Sequence, residues 1–219
     1  AGFEVQDVGV DGAWVSTERG RDGRRRALVA FDMDTPEGPR EYRLSYTIHG
    51  RPHAFSGEVT VCHAIRSWEG FGRRKGNRDP RVIERVRREK AQMNRIFWTI
   101  HPGFQWSLPF TSPVEGELKV TSRFAARRFA GGDALMPHTG VDLRARAGTP
   151  IYAVSEATVA LVDRFMLEGN VVILDHGGGL HTLYAHLSRV DVKEGQSVMR
   201  GEPLGLAGRT GHARGAHLH

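Results

Sequence analysis

The chain is 219 residues long, with 31 Lys and Arg against 25 Asp and Glu, a formal net charge of +6 and an apolar fraction of 39%. That length carries one large domain or two small ones with a real core, and the basic balance points to an acidic partner: nucleic acid, an anionic membrane surface or an anionic cell-wall polymer. A single cysteine, Cys62, excludes an internal disulfide framework and multi-thiolate metal sites, and no run of about 18 apolar residues is present to cross a membrane.

The arginines are dispersed and not interleaved with aromatics on one motif, so no nucleic-acid role is expected. The chain opens at Ala1 without a charged-then-apolar leader; for an exported protein the signal would already have been removed.

In chain order, the first sixty-odd residues read as short strands: Phe3–Val10, Ala13–Thr17, Arg26–Asp32, Arg40–Ile48 and Pro52–Val61, separated by Gly, Asp and Pro clusters. Tyr42, Leu44, Tyr46 and Ile48 alternate with polar residues, the period of a half-buried strand, and His49-Gly-Arg-Pro52 turns that strand into a hairpin. The pattern predicts a small β-sandwich. Cys62, at the end of the alternating run from Glu58, reads as a buried, inert thiol. His49, His53 and His63 have no carboxylate at ligand spacing and read as structural or solvent-facing.

Ser67–Asp79 is rich in Gly and Arg and has no period, so it reads as a linker, with Arg73-Arg-Lys75 a solvated run. Asp79-Pro80 has the form of an N-cap followed by Pro at the first helical position. Val82, Val86, Met93 and Phe97, with Ile83 and Ile96 beside them, then recur near 3.6 residues opposite a charged face. This predicts one amphipathic helix, Pro80 to Trp98, packed on a neighbouring sheet.

From Pro109 the chain reads as β again: Leu118–Thr121, Val141–Arg144, Pro150–Val154, Thr158–Val162, Asn170–Leu174, Leu180–Tyr184 and Pro203–Ala207. Gly177-Gly-Gly179 closes a hairpin between Asn170–Asp175 and Leu180–His186. The domain division expected is 1–66 (β accessory domain), 67–108 (linker and helix) and 109–219 (a second β domain).

Chemistry concentrates in this last part. Met136-Pro-His-Thr-Gly-Val-Asp-Leu143 sets His138 and Asp142 four residues apart on a turn entering a strand. Ala216-His-Leu-His219 puts His217 and His219 on one face of an extended segment. Two imidazoles and a carboxylate suit a tetrahedral Zn²⁺ with an open fourth position; either half alone is weak evidence.

Further motifs stand around these in a fixed order. They are Ser122-Arg-Phe124 with Arg127-Arg128, His138-Thr-Gly-Val-Asp142, Ala147-Gly-Thr-Pro-Ile151 and Gly169-Asn-Val-Val-Ile-Leu-Asp-His-Gly177. Thr182-Leu-Tyr-Ala-His-Leu-Ser188, Val192-Lys-Glu-Gly-Gln196, Gly208-Arg-Thr-Gly211 and His217-Leu-His219 follow. Through them, from about Pro109 on, the chain resembles the lysostaphin/LytM-type zinc endopeptidases, which cut peptide cross-links in bacterial peptidoglycan. The early β segment also resembles an accessory domain found before such peptidases.

The resemblance implies a mainly β fold: a small N-terminal sandwich, a connecting helix, and an antiparallel sheet of the duplicated-hybrid-motif type. It implies His138, Asp142 and His219 as zinc ligands, His186 and His217 as catalytic histidines, and Asn170 and Tyr184 as substrate contacts. His176 and His212 fall outside its ligand set and read as cleft-lining or surface residues; His181 reads as surface or substrate contact. Peptidoglycan stem peptides would be the substrate, in the periplasm or cell envelope, with a D,D-endopeptidase as the expected activity and no oligomeric state assigned. The alternative is a non-catalytic LytM-like module that binds or activates another wall hydrolase. Three residues depart from the family pattern: Ala125 stands where Gly is usual, and Arg214 and Ala216 where Thr and Pro are common. Relatives continue past the His219 position with a further strand, so more chain is expected there.

Overall fold

The structure is a computed structural model that describes residues 3–11, 13–15, 17–19, 25–31, 34–62, 68–71, 79–130, 133–134 and 137–219. His63, the Arg73–Lys75 run and Met136 lie outside the described residues. The chain divides into two compact units, residues 1–65 with 102–104, and residues 66–101 with 105–219.

In the first unit a four-stranded antiparallel sheet runs in the order Ala13–Val15, Phe3–Val10, Gly38–Ile48, Arg51–Val61. The central hairpin pairs Ile48 with Arg51, leaving His49 and Gly50 as a two-residue loop, both at positive φ (49° and 75°). That is the conformation whose twist matches the flanking strands. Thr17–Arg19 and Arg25–Ala27 form a separate ribbon. Among the described residues, this sheet and ribbon stand where a sandwich was expected. Cys62 is exposed, not buried: the last register pair is Gly38 with Val61, so the thiol falls just beyond the sheet that would have covered it.

In the second unit the central sheet has the order His181–Leu187, Gly169–Asp175, Ala157–Phe165, Ser197–Val198. Gly169–Asp175 carries the continuous apolar run Val171–Leu174, fully buried, because both faces of this strand are covered. On one face Val172 and Leu174 pack with Ile151, Val159, Leu187 and Leu204. On the other, Val171 and Ile173 pack with Leu161, Phe165 and Ala185, and the helix closes over them with Met93 and Ile96. No residue of the helix is fully buried, so Met93 and Ile96 each contribute less than the about 1.5–3 kcal/mol of a fully buried side chain, and the helix is a partial cover on this face.

The helix spans Pro80–Phe97. Asp79 caps it, its Oδ1 accepting the Arg81 N–H at 2.8 Å, with Pro80 in the first turn, where its missing donor costs nothing. Smaller sheets complete the unit: Pro150–Tyr152, Pro203–Leu206 and Arg189–Val190 in one, and Asp142–Leu143 with Val120–Ser122 in another.

A third sheet contains a strand within the expected linker. Trp68–Phe71 pairs in parallel with Arg127–Ala130, which pairs in turn with Asp133–Ala134. Its four residues show no period of their own, and a distant partner makes them a strand.

Candidate metal centre and its histidines

Asp142 opens the strand Asp142–Leu143, in register with Ser122. His138 is fixed just before it, its N–H bonded to the Ala126 carbonyl and its carbonyl accepting the Ala125 N–H. Residues 217–219 are extended and pinned on several sides: Leu218 exchanges both backbone bonds with Leu143 (2.7 and 3.0 Å), His217 N–H reaches the Gly208 carbonyl, and Ala185 N–H reaches the His219 carbonyl at 2.9 Å. Leu218 faces the core, so His217 and His219 face away from it together. Gly140 lets the His219 ring approach: a β-carbon there would lie 2.9 Å from Cε1 and 3.0 Å from Nε2 of that ring.

The result is a triangle of donor atoms. His219 Nδ1 lies 2.8 Å from Asp142 Oδ1 and 2.9 Å from His138 Nε2, and His138 Nε2 lies 3.1 Å from Asp142 Oδ1. Ligands of a tetrahedral zinc at 2.0–2.1 Å stand about 3.3 Å apart, close to these edges. Among the described residues this is the His/Asp group whose ligand atoms converge in this way.

The tautomer of His138 supports the same reading. Its Nδ1 faces the Arg123 carbonyl at 3.0 Å, and a carbonyl only accepts, so the proton sits on Nδ1 and Nε2 is bare. A bare nitrogen and a carboxylate oxygen 3.1 Å apart are drawn together only by a positive charge between them, a proton on the ring or a metal ion. Burial would raise the Asp142 carboxyl, but hydrogen bonds and charge from His138 and His219 hold it well below the usual carboxylate range. Arg128 also faces this carboxylate, its Nη2 standing 3.2 Å from Asp142 Oδ2.

His186 and His217 stand beside the triangle with ring centroids 4.7 Å apart; His186 is 6.1 Å from the His219 ring. His217 Nε2 is 3.7 Å from Asp142 Oδ1, farther than the three donors are from one another. The Nδ1 of each meets a carbonyl at 2.9 Å, Thr210 for His186 and Gly215 for His217, so in both rings Nε2 is the bare atom. Burial pushes the His186 imidazole down to about 4, helped by the charges of His217 and His219, keeping it neutral at physiological pH.

A bulge delivers His186. Opposite Asn170 to Val172, the strand His181–Leu187 carries the extra residue between Tyr184 and Leu187, and His186 takes a φ of 61°. Tyr184 and His186, two apart, are thereby separated: Tyr184 is only 3% exposed and packs in the core, its hydroxyl accepting the Val154 N–H. Tyr184, expected as a substrate contact, is placed in the core. Asn170 is half-buried and its amide donates to the Leu187 carbonyl at 2.8 Å, tying the two strands at the bulge.

Two other histidines also differ from expectation. His176, expected at the cleft or surface, is fully buried between the Glu156 carbonyl and Thr182 Oγ1, and burial lowers its pKa. His181 has a side chain only 4% exposed, edge-on to Phe97 and 3.7 Å from Asp175, because the helix covers the face it points from. His212 is exposed. Sequence reading assigned no role to Ser122 or Arg128, both of which touch the ligand set.

Fold and site together define a metallopeptidase-type β domain. Residues 136–219 match the profile of peptidase family M23. The chain is 38% identical over 108 residues (49% of its length, 25% of the relative's) to the peptidoglycan DD-endopeptidase ShyA of Vibrio cholerae serotype O1. It is 43% identical over 82 residues (37% of its length, 19% of the relative's) to the DD-carboxypeptidase/endopeptidase Mpg of Neisseria meningitidis serogroup B. A crystal structure from Pseudomonas aeruginosa, assigned to peptidase M23, superposes with a TM-score of 0.68 at 28% identity, covering 98% of this chain and 81% of that one. The chain thus spans about a quarter or less of the length of these curated relatives.

Proposed function

We propose that the chain is a zinc endopeptidase that hydrolyses peptide cross-links of peptidoglycan in the cell envelope, acting as a D,D-endopeptidase. The observation that carries this is the donor triangle of His138 Nε2, Asp142 Oδ1 and His219 Nδ1, with His138 held in the tautomer that leaves its metal-facing nitrogen bare. The donor set is borderline-hard and free of thiolates, which suits zinc. The names of the curated relatives support the substrate and bond.

His138, Asp142 and His219 would hold the zinc, which would supply a Lewis acid to polarise the scissile carbonyl and acidify the attacking water. The chain's own part is proton handling. His186 and His217 present bare Nε2 atoms on one side of the triangle, so one accepts a proton from the attacking water. The same histidine then gives that proton to the leaving amine, while the other steadies the oxyanion by a hydrogen bond when it carries a proton from solvent. Residues 1–66 are read as an accessory domain, 67–108 as the segment carrying the helix, and 109–219 as the peptidase domain, with access to the site as the accessory domain's role.

Purified cross-linked muropeptides incubated with zinc-loaded protein should be split to monomers, each cleavage adding one water to the summed mass. Dimers that persist unchanged would overturn the proposal.

A further inference from the structure

The metal centre is supported from a segment well upstream of the family-matched residues. Trp68–Phe71 pairs in parallel with Arg127–Ala130, and the register puts Glu69 beside Arg128. The Glu69 side chain, 22% exposed, turns to the site: its Oε2 is 2.9 Å from Ser122 Oγ and 3.5 Å from Arg128 Nε. Ser122 is itself 8% exposed, with Oγ 2.9 Å from His138 Nδ1 and 3.2 Å from Arg128 Nη2.

We infer that Glu69 is a positioning residue of the metal centre: through Ser122 it holds His138 in the tautomer whose Nε2 is free for the ion. The donor count fixes the direction. A carboxylate only accepts, so the one hydroxyl proton of Ser122 goes to Glu69, and the Ser122 lone pairs are left to accept from Arg128 and from His138 Nδ1–H. Every proton in the chain from His138 through Ser122 to Glu69 therefore points away from the triangle. The Arg123 carbonyl, 3.0 Å from the same Nδ1, also asks for a proton there. Without Glu69 the Ser122 hydroxyl is free to turn its own proton toward Nδ1 in competition with that carbonyl, and the tautomer protonated at Nε2, which blocks the metal-facing atom, gains population. Glu69 also shares Arg128 with Asp142, so the guanidinium is balanced by two carboxylates and does not sit on the ligand carboxylate alone. Partners of this kind orient ligand imidazoles and raise their basicity, and losing one typically costs 10–100-fold in metal affinity.

The inference rests on the zinc reading above, and the test separates the two. Zinc dissociation constants are measured by competition with a chromophoric chelator, with unfolding of each metal-free variant recorded alongside. Glu69→Ala and Ser122→Ala should each weaken zinc by roughly 10–100-fold. The double variant should be no weaker than either single one, because both break one relay. Glu69→Gln, whose amide oxygen still accepts the Ser122 proton, should recover part of the loss, which a purely architectural role would not predict. Wild-type affinity in Glu69→Ala, or additive losses in the double variant, overturns the inference and leaves the zinc assignment standing. A wild-type chain that binds no zinc overturns both. Should Glu69→Ala not fold, Ser122→Ala must still weaken zinc and adding Glu69→Gln to it must change nothing further.

Discussion

Glu89 accepts the Met166 N–H at 2.8 Å, which ties the middle of the helix to the loop joining Ala157–Phe165 to Gly169–Asp175 in the central sheet. Its other oxygen takes Arg85 Nε at 2.7 Å, and two residues beyond Met166 the Glu168 carbonyl accepts the His186 N–H at 2.7 Å. The helix thus braces the backbone that carries His186. Glu89→Ala leaves the Met166 donor without that acceptor, a cost of about 1–3 kcal/mol. Turnover should fall, by up to roughly 10²-fold if His186 moves by an ångström, while zinc content stays at the wild-type level. Unchanged turnover and an unchanged thermal midpoint would rule the brace out.

The neutral state of His186 has a consequence for stability. Its folded pKa of about 4 lies below the unfolded value of ~6.5. Between those values the unfolded chain takes up a proton that the folded chain refuses, so stability rises with pH through the window. The contribution is complete above about pH 6.5 and is lost as pH falls toward 4. His176, lowered by its own burial, acts with the same sign. Thermal unfolding of metal-free protein across this window should show a shallower pH slope for His186→Gln than for wild type. Parallel slopes would contradict the assignment.

Ala125 adopts a φ of 58°, the left-handed region that its β-carbon disfavours, while its N–H is bonded to the His138 carbonyl. The strain is about 1–2 kcal/mol, and the extra unfolded-state freedom of glycine offsets about 0.4–1 of it. Ala125→Gly should therefore stabilise the chain by roughly 0.5–1 kcal/mol, read as a rise of a few degrees in the midpoint. A drop would show that the loop is unstrained.

The strands of the central sheet were legible because apolar runs such as Val171–Leu174 sit between glycines, and the helix because its cap and period agree. Pairing between distant segments was not legible. Trp68–Phe71 becomes a strand only beside Arg127–Ala130, so Glu69 could not be connected to His138 from sequence. Nor could regular alternation show that a bulge turns His186 to the site while Tyr184 stays in the core. Ligand spacing was more informative, since the ligand atoms of His138, Asp142 and His219 lie close to one another. Covered histidines such as His176 and His181 escaped because spacing says nothing about what packs over a side chain.

The central claim is that two histidines on one short segment have different tasks, and zinc content measured beside turnover tests it most directly. His219 Nδ1 is a corner of the triangle, 2.8 Å from Asp142 Oδ1, whereas His217 Nε2 stands 3.7 Å away beside His186. Purified His219→Ala should lose zinc and activity together. His217→Ala should keep zinc and lose roughly 10²–10⁴-fold in turnover on cross-linked muropeptides, the scale of a positioned proton-transfer group. Loss of zinc from His217→Ala with retention in His219→Ala would contradict the account.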